Sequence, residues 1–386
     1  MYNFDQVINR RGTNSVKWDS AADGVLPLWV ADMDFATAPC VQEAVQRRAQ
    51  HPVFGYVRVP DSYYEAVIRW FARRHQFTMQ RDWIIYTSGV VPAISAIIQA
   101  LTRPGDKVLV QTPVYNCFFS SIRNSGCQLA DSPLVLHENR YEIDFEDFER
   151  KAQDPAVRLF LLCNPHNPAG RAWTQSELQR LADICLRHDV FIVSDEIHNE
   201  LTLPGHKYTC LGALGEPYVR NAAILTSPSK SFNIAGLQIA NITIADQDIR
   251  QRVDKQININ EVCDVNPFGV EALQAAYSAE GEQWLEELLA YIQGNYNFLR
   301  DFFRRELPQL AVIDMEATYL PWVDCWPLGK ASKQMEKELL GGQQVWFNAG
   351  DMYQPGNSTF LRINIACPRS ILEEALQRFA KYVNKA

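Results

Sequence analysis

The sequence has few of the features that mark secreted, membrane-bound or nucleic-acid-binding proteins. Its nine cysteines are scattered without a Cys-x-x-Cys pair, so we expect reduced thiols in a cytoplasmic protein and no metal site. No apolar run approaches the roughly 18 residues that suggest a membrane span, and the first residues lack the pattern of a signal peptide. The formal net charge of −8 argues against a nucleic-acid surface. We therefore expect neither a membrane nor a nucleic acid as a partner.

A Gly-x-Gly-x-x-Gly motif after an early strand is also absent, which disfavours a nicotinamide-dependent dehydrogenase. The chain does have 386 residues, of which 47% are hydrophobic, enough for more than one packed core. In its middle part, short β-rich runs alternate with amphipathic helices. This alternation predicts an α/β fold with a mostly parallel sheet covered by helices.

Individual segments support this prediction. Residues 157–163 form a nearly continuous apolar run, as expected for a strand that is buried on both faces. Thr174 and Glu177 then form a capping box that opens the next helix. Residues 190–193 and 222–226 supply two further strands.

The pattern changes near residue 282. Residues 282–306 predict one long helix, after which short strands precede a final helix that we expect Ser370 to cap. We therefore predict a large domain of residues 46–282 and a smaller α/β domain of residues 283–386, with residues 1–45 joining the smaller domain.

Polar sequences follow three of the predicted strands, and functional groups gather at the carboxyl ends of strands in open α/β sheets. The first strand continues into Asn164-Pro-His-Asn-Pro-Ala-Gly-Arg171. This rigid turn holds Asn167 at the end of the strand, although a proline-rich connection with asparagines that merely form the turn explains the segment as well. The second strand leads to Asp195, whose carboxylate is costly there unless a cation such as a pyridinium nitrogen meets it. A helix-capping role for Asp195 remains open.

The third strand continues into Ser227-Pro-Ser-Lys-Ser231. Most single lysines are solvated surface charges, but Lys230 follows a buried-looking strand and lies between hydroxyl residues that suit a phosphate. An amine in such a place can lose its proton and form an imine. Earlier in the chain, Ser88 and Gly89 open an apolar helix, and a helix N-terminus is a usual place to bind a phosphate. An ordinary serine N-cap explains the same two residues.

Together and in this order, these segments resemble fold-type I pyridoxal-5′-phosphate (PLP) enzymes of the class I and II aminotransferase superfamily. The resemblance covers nearly the whole chain and implies the aspartate-aminotransferase fold. It implies that Lys230 binds PLP as a Schiff base, that Asp195 pairs with the pyridine nitrogen, and that Tyr115 stacks on the ring as a third catalytic residue. Asn167 would bond the phenolic oxygen, and Arg362 would bind the substrate α-carboxylate. Further cofactor contacts implied by the resemblance are Ser88, Gly89, Val90, His198, Ser227 and Ser229.

One departure from the transaminase pattern restricts the resemblance to one branch of the superfamily. Transaminases of this fold usually carry an arginine eight residues after the lysine, and the residue at that position is Gln238. With this glutamine the chain resembles the carbon–sulfur β-lyase branch, which includes bacterial cystathionine β-lyases of the maltose-regulon type. Two further segments are similar to that branch, Leu26-Pro-Leu-Trp-Val-Ala-Asp-Met-Asp-Phe35 and Phe54-Gly-Tyr56. The similarity implies β-elimination from cystathionine or a related cysteine thioether, giving a thiol, pyruvate and ammonia.

The same branch implies a homodimer in which Tyr56 reaches the phosphate of the partner's cofactor. Ala317 stands where the family more often has glycine, so we expect an altered pocket for the substrate side chain. An aminotransferase that uses the same site is an alternative. A regulatory binding protein is another, because a member of the branch also restrains a transcription activator. The residues implied to lie along the substrate entrance are Trp29, Val30, Ala31 and Tyr319.

Overall fold

The computed structural model describes residues 2–385. Its α-helices are α1 (Val16–Asp19), α2 (Pro39–Ala49), α3 (Asp61–His75), α4 (Val90–Leu101), α5 (Asn116–Asn124), α6 (Phe145–Ala152), α7 (Gln175–Arg187), α8 (Gln247–Ile259), α9 (Pro267–Ala276), α10 (Ala279–Glu306), α11 (Ser332–Gln343) and α12 (Arg369–Val383). Its strands are β1 (Leu26–Pro27), β2 (Ile84–Thr87), β3 (Lys107–Val110), β4 (Gln128–Asp131), β5 (Val135–His137), β6 (Arg140–Glu142), β7 (Val157–Cys163), β8 (Phe191–Asp195), β9 (Ala222–Thr226), β10 (Ala240–Ile244), β11 (Ala311–Val312), β12 (Trp322–Asp324), β13 (Val345–Trp346), β14 (Asn348–Ala349) and β15 (Phe360–Arg362). Within residues 2–385, none of the helices combines the length and hydrophobicity that crossing a membrane requires.

The described residues contain a seven-stranded sheet with the order β2-β10-β9-β8-β7-β3-β4. Strand β10 runs antiparallel to β2 and β9, and the other neighbouring strands are parallel. The expected mostly parallel α/β sheet is therefore confirmed. Parallel strands need crossover connections, and helices such as α7 between β7 and β8 provide them.

Strand β7 shows why this sheet needs apolar residues on both faces. Phe160 and Leu162 pack in one buried cluster with residues of α6 and α7. Leu159, Leu161 and Cys163 pack in another with residues of α4 and α5. Because successive side chains of a strand point to opposite faces, a strand covered on both sides is apolar almost throughout.

A second, antiparallel sheet has the order β11-β12-β15-β14 and lies among elements from the C-terminal part of the chain. Strand β1 joins that region by pairing in parallel with β13. The helix expected at residues 282–306 begins three residues earlier, as α10. The proposed limits of the N-terminal segment and the two domains stay predictions.

The last helix begins differently from our expectation. Helix α12 starts at Arg369 with Pro368 as its N-cap, and no side chain caps it. Ser370 therefore lies inside the first turn, and the prediction that it caps this helix was wrong. The φ angle of proline is already compatible with a helix start, so Pro368 can precede the first turn without a capping hydroxyl.

Candidate active site

Three neighbouring strands bring the polar segments of the sequence to one edge of the sheet. Cys163 at the end of β7 lies opposite Asp195 at the end of β8, and Asp195 lies opposite Leu225 of β9. The loops that follow these strands enclose a cavity of about 200 Å³. The predicted site residues in its wall are Ala31, Ser88, Gly89, Val90, Tyr115, Asn167, Asp195, His198, Ser229 and Lys230.

Asp195 is a buried carboxylate in the wall of this cavity. Its Oδ1 accepts a hydrogen bond from the backbone N–H of Ile197 at 3.1 Å, and no ion pair within 4.0 Å joins it to another described residue. Burial raises its pKa to about 7, although the positive charge of Lys230 acts in the opposite direction. A cation placed in the cavity would therefore be strongly favoured beside Asp195.

Lys230 follows β9 and presents its amine to the same cavity. Its Nζ donates to the backbone oxygen of Ala31 at 2.7 Å, an oxygen that also accepts from the Tyr319 hydroxyl at 3.0 Å. Burial lowers the pKa of Lys230, partly offset by the negative charge of Asp32. The lowered pKa increases the share of neutral amine, the form that is nucleophilic.

Asn167 connects the cavity wall with Arg362 of β15. Its Oδ1 accepts from Arg362 Nη1 at 3.2 Å, while Arg362 Nη2 donates to the backbone oxygen of Trp29 at 2.9 Å. The guanidinium is buried, and its Nε has no hydrogen-bond partner among the described residues. A buried cation with a free donor is suited to receive a carboxylate.

The N-terminus of α4 forms another side of the cavity. Gly89 is its N-cap, and no side chain there occupies the first backbone N–H groups. These groups and the nearby Ser88 and Ser229 suit an anion such as a phosphate. Ser227 is placed differently, because its hydroxyl donates to the Ile239 carbonyl at 2.5 Å and accepts from the Ser229 N–H at 3.0 Å. A cofactor contact by Ser227 stays a prediction.

Two further ring side chains line the cavity. Burial raises the pKa of Tyr115, so its hydroxyl stays protonated at neutral pH. Burial lowers the pKa of His198 to about 3, and its Nδ1 has no partner among the described residues. His198 is therefore a neutral imidazole with an unused ring nitrogen.

The remaining predicted residues lie outside the cavity lining. Trp29 stacks on Trp346 with ring centroids 4.4 Å apart. Tyr319 is fully buried, and the Val30 carbonyl accepts from Asn364. Tyr56 is 95% exposed on an irregular segment, where it faces no part of its own cavity wall.

Ala317 is not among the residues that line the cavity. Its methyl group is fully buried, and the residue forms a β-bridge with Thr202. Its backbone N–H donates to the carbonyl of Gly170 at 3.1 Å. The expected change in the side-chain pocket therefore has no direct support from the position of this methyl.

The sequence did not point to two asparagines that hold the segment around Ala31 in place. Asn233 accepts from the Met33 N–H at 3.0 Å and donates to the carbonyls of Met33 and Phe35. Asn364 donates to the carbonyls of Val30 and Asp32 at 2.6 Å. Asn233 lies three residues after Lys230 in the chain, and this nearness could have indicated that it belongs to the site. No feature of the sequence around Asn364 indicates such a role.

The residues of the cavity fit PLP. An amine, a buried carboxylate without a cation and an open helix N-terminus match the aldehyde, the pyridine nitrogen and the phosphate of that cofactor. The match rests on the burial of the Asp195 carboxylate, which raises its pKa to about 7, as much as on the presence of Lys230. Asp195 ends β8, Lys230 lies in the loop after β9, and the helix N-terminus follows β2 of the same sheet.

Comparison with known proteins supports the same conclusion. The chain is 40% identical over 381 residues to cystathionine beta-lyase PatB of Bacillus subtilis, covering 97% of this chain and 98% of that protein. A PLP-bound putative aminotransferase from Clostridium difficile has a TM-score of 0.96 and 40% identity, with both chains covered completely. A PLP-bound C–S lyase from Staphylococcus hominis has a TM-score of 0.92 and 33% identity over 99% of both chains. The model of the family "Aminotransferase class I and II" matches residues 23–379, and the chain belongs to this family.

Proposed function

We propose that the protein is a PLP-dependent carbon–sulfur β-lyase that cleaves cystathionine or a related cysteine thioether to a thiol, pyruvate and ammonia. The observation that carries the proposal is the amine of Lys230 in one cavity with the buried, cation-free carboxylate of Asp195. The lyase reaction is supported by the 40% identity to a cystathionine β-lyase over nearly the whole chain. Gln238, which replaces the arginine usual in transaminases, lines the cavity and also supports it.

PLP, when bound, supplies an electron-withdrawing ring that makes the substrate Cα–H acidic. Asp195 would hold a proton on the pyridine nitrogen, since its own charge is costly in this buried place without a cation. The amine of Lys230 would take the Cα proton, because burial lowers its pKa and leaves more of it neutral. Asp195 would therefore keep the ring protonated, and Lys230 would act as the base.

Arg362 would bind the α-carboxylate through the N–H groups of its two Nη atoms that Asn167 and Trp29 leave unused. The Cβ–S bond then breaks with its electron pair remaining on sulfur. A thiol has a pKa of about 8.5 against about 15.7 for water, so a thiolate leaves far more readily than hydroxide. Tyr115, whose hydroxyl stays protonated, would give the sulfur its proton. Water completes the balance by converting the carbon fragment to pyruvate and ammonia.

The test is pyruvate release from L-cystathionine by the PLP-loaded protein without any keto acid. We expect pyruvate, ammonia and thiol in equal amounts. Lys230→Ala should abolish turnover, whereas Lys207→Ala, which changes an exposed lysine, should not. If the wild-type protein released no pyruvate, the proposed reaction would be excluded. Normal turnover by Lys230→Ala would exclude the proposed role of this lysine.

An aminotransferase is the second candidate, because the structurally similar Clostridium difficile protein is called a putative aminotransferase. The same residues would serve it, since both reactions begin with loss of the Cα proton. Amino transfer that depends on an added keto acid, without release of pyruvate from cystathionine, would select this alternative.

We also propose a homodimer in the cytoplasm. The homodimer is supported by the exposed apolar side chains Val53 and Phe54 and by the almost fully exposed Tyr56 in one short segment. Tyr56 would reach the cofactor phosphate of the partner subunit. All nine cysteines are free thiols, which suits a reducing compartment.

A further inference from the structure

Arg362 lies on the ring of Tyr353. The guanidinium carbon is 4.9 Å from the ring centroid, and both side chains are buried. A guanidinium over an aromatic face is attracted to the ring and is worth more where water is excluded. The contact therefore fixes the plane of the guanidinium, and with it the direction of the N–H groups on its two Nη atoms.

The ring is held in place by two residues that lie opposite Arg362 in the neighbouring strands of its sheet. The Tyr353 hydroxyl accepts from Asn348 Nδ2 at 2.9 Å. Asn348 lies opposite Arg362 in the β14–β15 pair, and its Nδ2 is 3.4 Å from the Trp29 carbonyl that Arg362 also binds. Trp322, the partner of Arg362 in β12, packs edge-on against the Tyr353 ring at 5.5 Å.

The loop that carries Tyr353 is anchored at both ends. Asp351 accepts from the Ser358 N–H at 2.7 Å and from the Ser332 hydroxyl at 2.8 Å. The backbone oxygen of Tyr353 accepts from the Val114 N–H at 2.7 Å, directly before Tyr115. Tyr353 therefore joins the arginine of the second sheet to the segment that presents Tyr115 to the cavity.

We propose that Tyr353 is a positioning residue for the substrate α-carboxylate. Its ring holds the Arg362 guanidinium flat between Asn167 and Trp29, so that the N–H groups of the two Nη atoms that these residues leave unused keep a fixed direction for the carboxylate. The inference rests on the proposed function, because it assumes that Arg362 binds that group. It predicts that the loss of the ring weakens the binding of amino acids and leaves the binding of amines without a carboxylate unchanged.

The experiment uses the PLP-loaded enzyme and two small probes. L-Alanine has an α-carboxylate and no β-leaving group, and ethylamine is the same amine without the carboxylate. Binding is followed by calorimetry and by the absorbance change of the cofactor. For Tyr353→Leu, which removes the aromatic face, we expect the Kd of L-alanine to rise about tenfold or more. The Kd of ethylamine should stay within about twofold of the wild-type value.

Tyr353→Phe is the matched control, because it keeps the ring and removes the hydroxyl. Its Kd for L-alanine should stay within about threefold of wild type. With cystathionine, Tyr353→Leu should raise KM about tenfold with kcat within about threefold, since the lost interaction acts on the carboxylate and not on the reacting bonds. Equal melting temperatures of the two variants would support this interpretation further.

Arg362→Leu separates failure of this inference from failure of the proposed function. If Arg362→Leu weakens L-alanine binding and Tyr353→Leu does not, the positioning role is excluded and the carboxylate site stands. If Tyr353→Leu weakens L-alanine and ethylamine equally, the ring supports the site in general and the inference is overturned. If Arg362→Leu binds L-alanine normally, the carboxylate site is itself wrong.

Discussion

At the scale of single residues, the cavity contains a carboxylate and an amine whose pKa values are both moved towards neutrality. Burial raises the pKa of Asp195 to about 7 and lowers that of Lys230. Each shift reduces the charge that the residue carries when the cofactor is absent. Such shifted groups in one cavity are typical of sites for acid–base chemistry.

The raised pKa of Asp195 predicts how the stability of the cofactor-free protein depends on pH. Between about pH 4 and pH 7 the folded state binds more protons at Asp195 than the unfolded state, so the free energy of unfolding falls as pH rises. Asparagine does not ionise, so the stability of Asp195→Asn does not fall in this way as pH rises. We expect the variant to be more stable than wild type by a few kcal/mol at pH 8 but equal to it near pH 4. Urea unfolding at both pH values measures the difference.

PLP provides the control for this prediction. A protonated pyridine nitrogen would give Asp195 its missing cation, so loading with PLP should stabilise the wild type more than Asp195→Asn at pH 8. The assigned role of Asp195 would be contradicted if the two proteins differed in free energy of unfolding by the same amount at pH 4 and at pH 8. It would also be contradicted if PLP stabilised both proteins equally.

At the scale of elements, the N-terminal segment is attached to the site through buried charges. Lys17 of α1 is fully buried and pairs with the buried Asp34 at 2.8 Å. Asp34 also pairs with Arg10 at 2.8 Å and accepts from the Trp18 indole at 2.7 Å. These contacts hold the chain next to Ala31, whose carbonyl binds Lys230. The segment therefore depends on ion pairs as well as on apolar packing.

Lys17→Met tests this dependence. Removing one partner leaves a buried carboxylate with less compensation, so we expect the free energy of unfolding to fall by about 3–5 kcal/mol. The matched control is Arg69→Met, which breaks an ion pair with Glu65 whose two side chains are 69% and 60% exposed. That change should cost less than about 1 kcal/mol. Equal effects of the two variants in urea unfolding would show that the burial of the Lys17 pair has no special importance.

At the scale of the whole molecule, one chain leaves Tyr56 exposed and outside its own cavity wall. A twofold dimer would allow this residue to serve the partner's site, because a residue contributed across such an interface is contributed twice. The exposed Val53 and Phe54 lie next to it in the chain, and burying them would stabilise the association.

Mixing two inactive variants tests whether Tyr56 acts across the interface. Lys230→Ala removes the base, and we expect Tyr56→Ala to weaken cofactor binding severely. In a hybrid dimer, the site that keeps Lys230 would receive Tyr56 from the other subunit. Random mixing should therefore restore about a quarter of wild-type activity, since half the dimers are hybrids with one complete site each.

Two results would exclude the shared site. A monomer in analytical ultracentrifugation would remove the dimer itself. If the mixed variants stay inactive although mass spectrometry shows that their subunits exchange, Tyr56 belongs to the site of its own chain or to no site. The same mixing experiment with Tyr56→Phe measures how much of the effect belongs to the hydroxyl.

Local patterns in the sequence were enough to predict the parts of the fold that depend on near neighbours. The limits of β7 and β9 were predicted as they are observed, and the capping box of Thr174 and Glu177 is present at α7. The polar segments after β7, β8 and β9 were found because parallel strands place their carboxyl ends at one edge. The PLP cofactor and the family followed from the order of those segments.

Contacts between residues that are distant in the sequence could be known from the folded structure alone. No local pattern predicts three of these contacts, which join Tyr353 to Arg362, Asn364 to the carbonyl of Val30, and Lys17 to Asp34. The helix start at Arg369 also depends on its surroundings, because the capping pattern at Ser370 competes there with Pro368. Local propensities act over a few residues, whereas burial and charge pairing are settled by whichever distant groups the folded chain brings together.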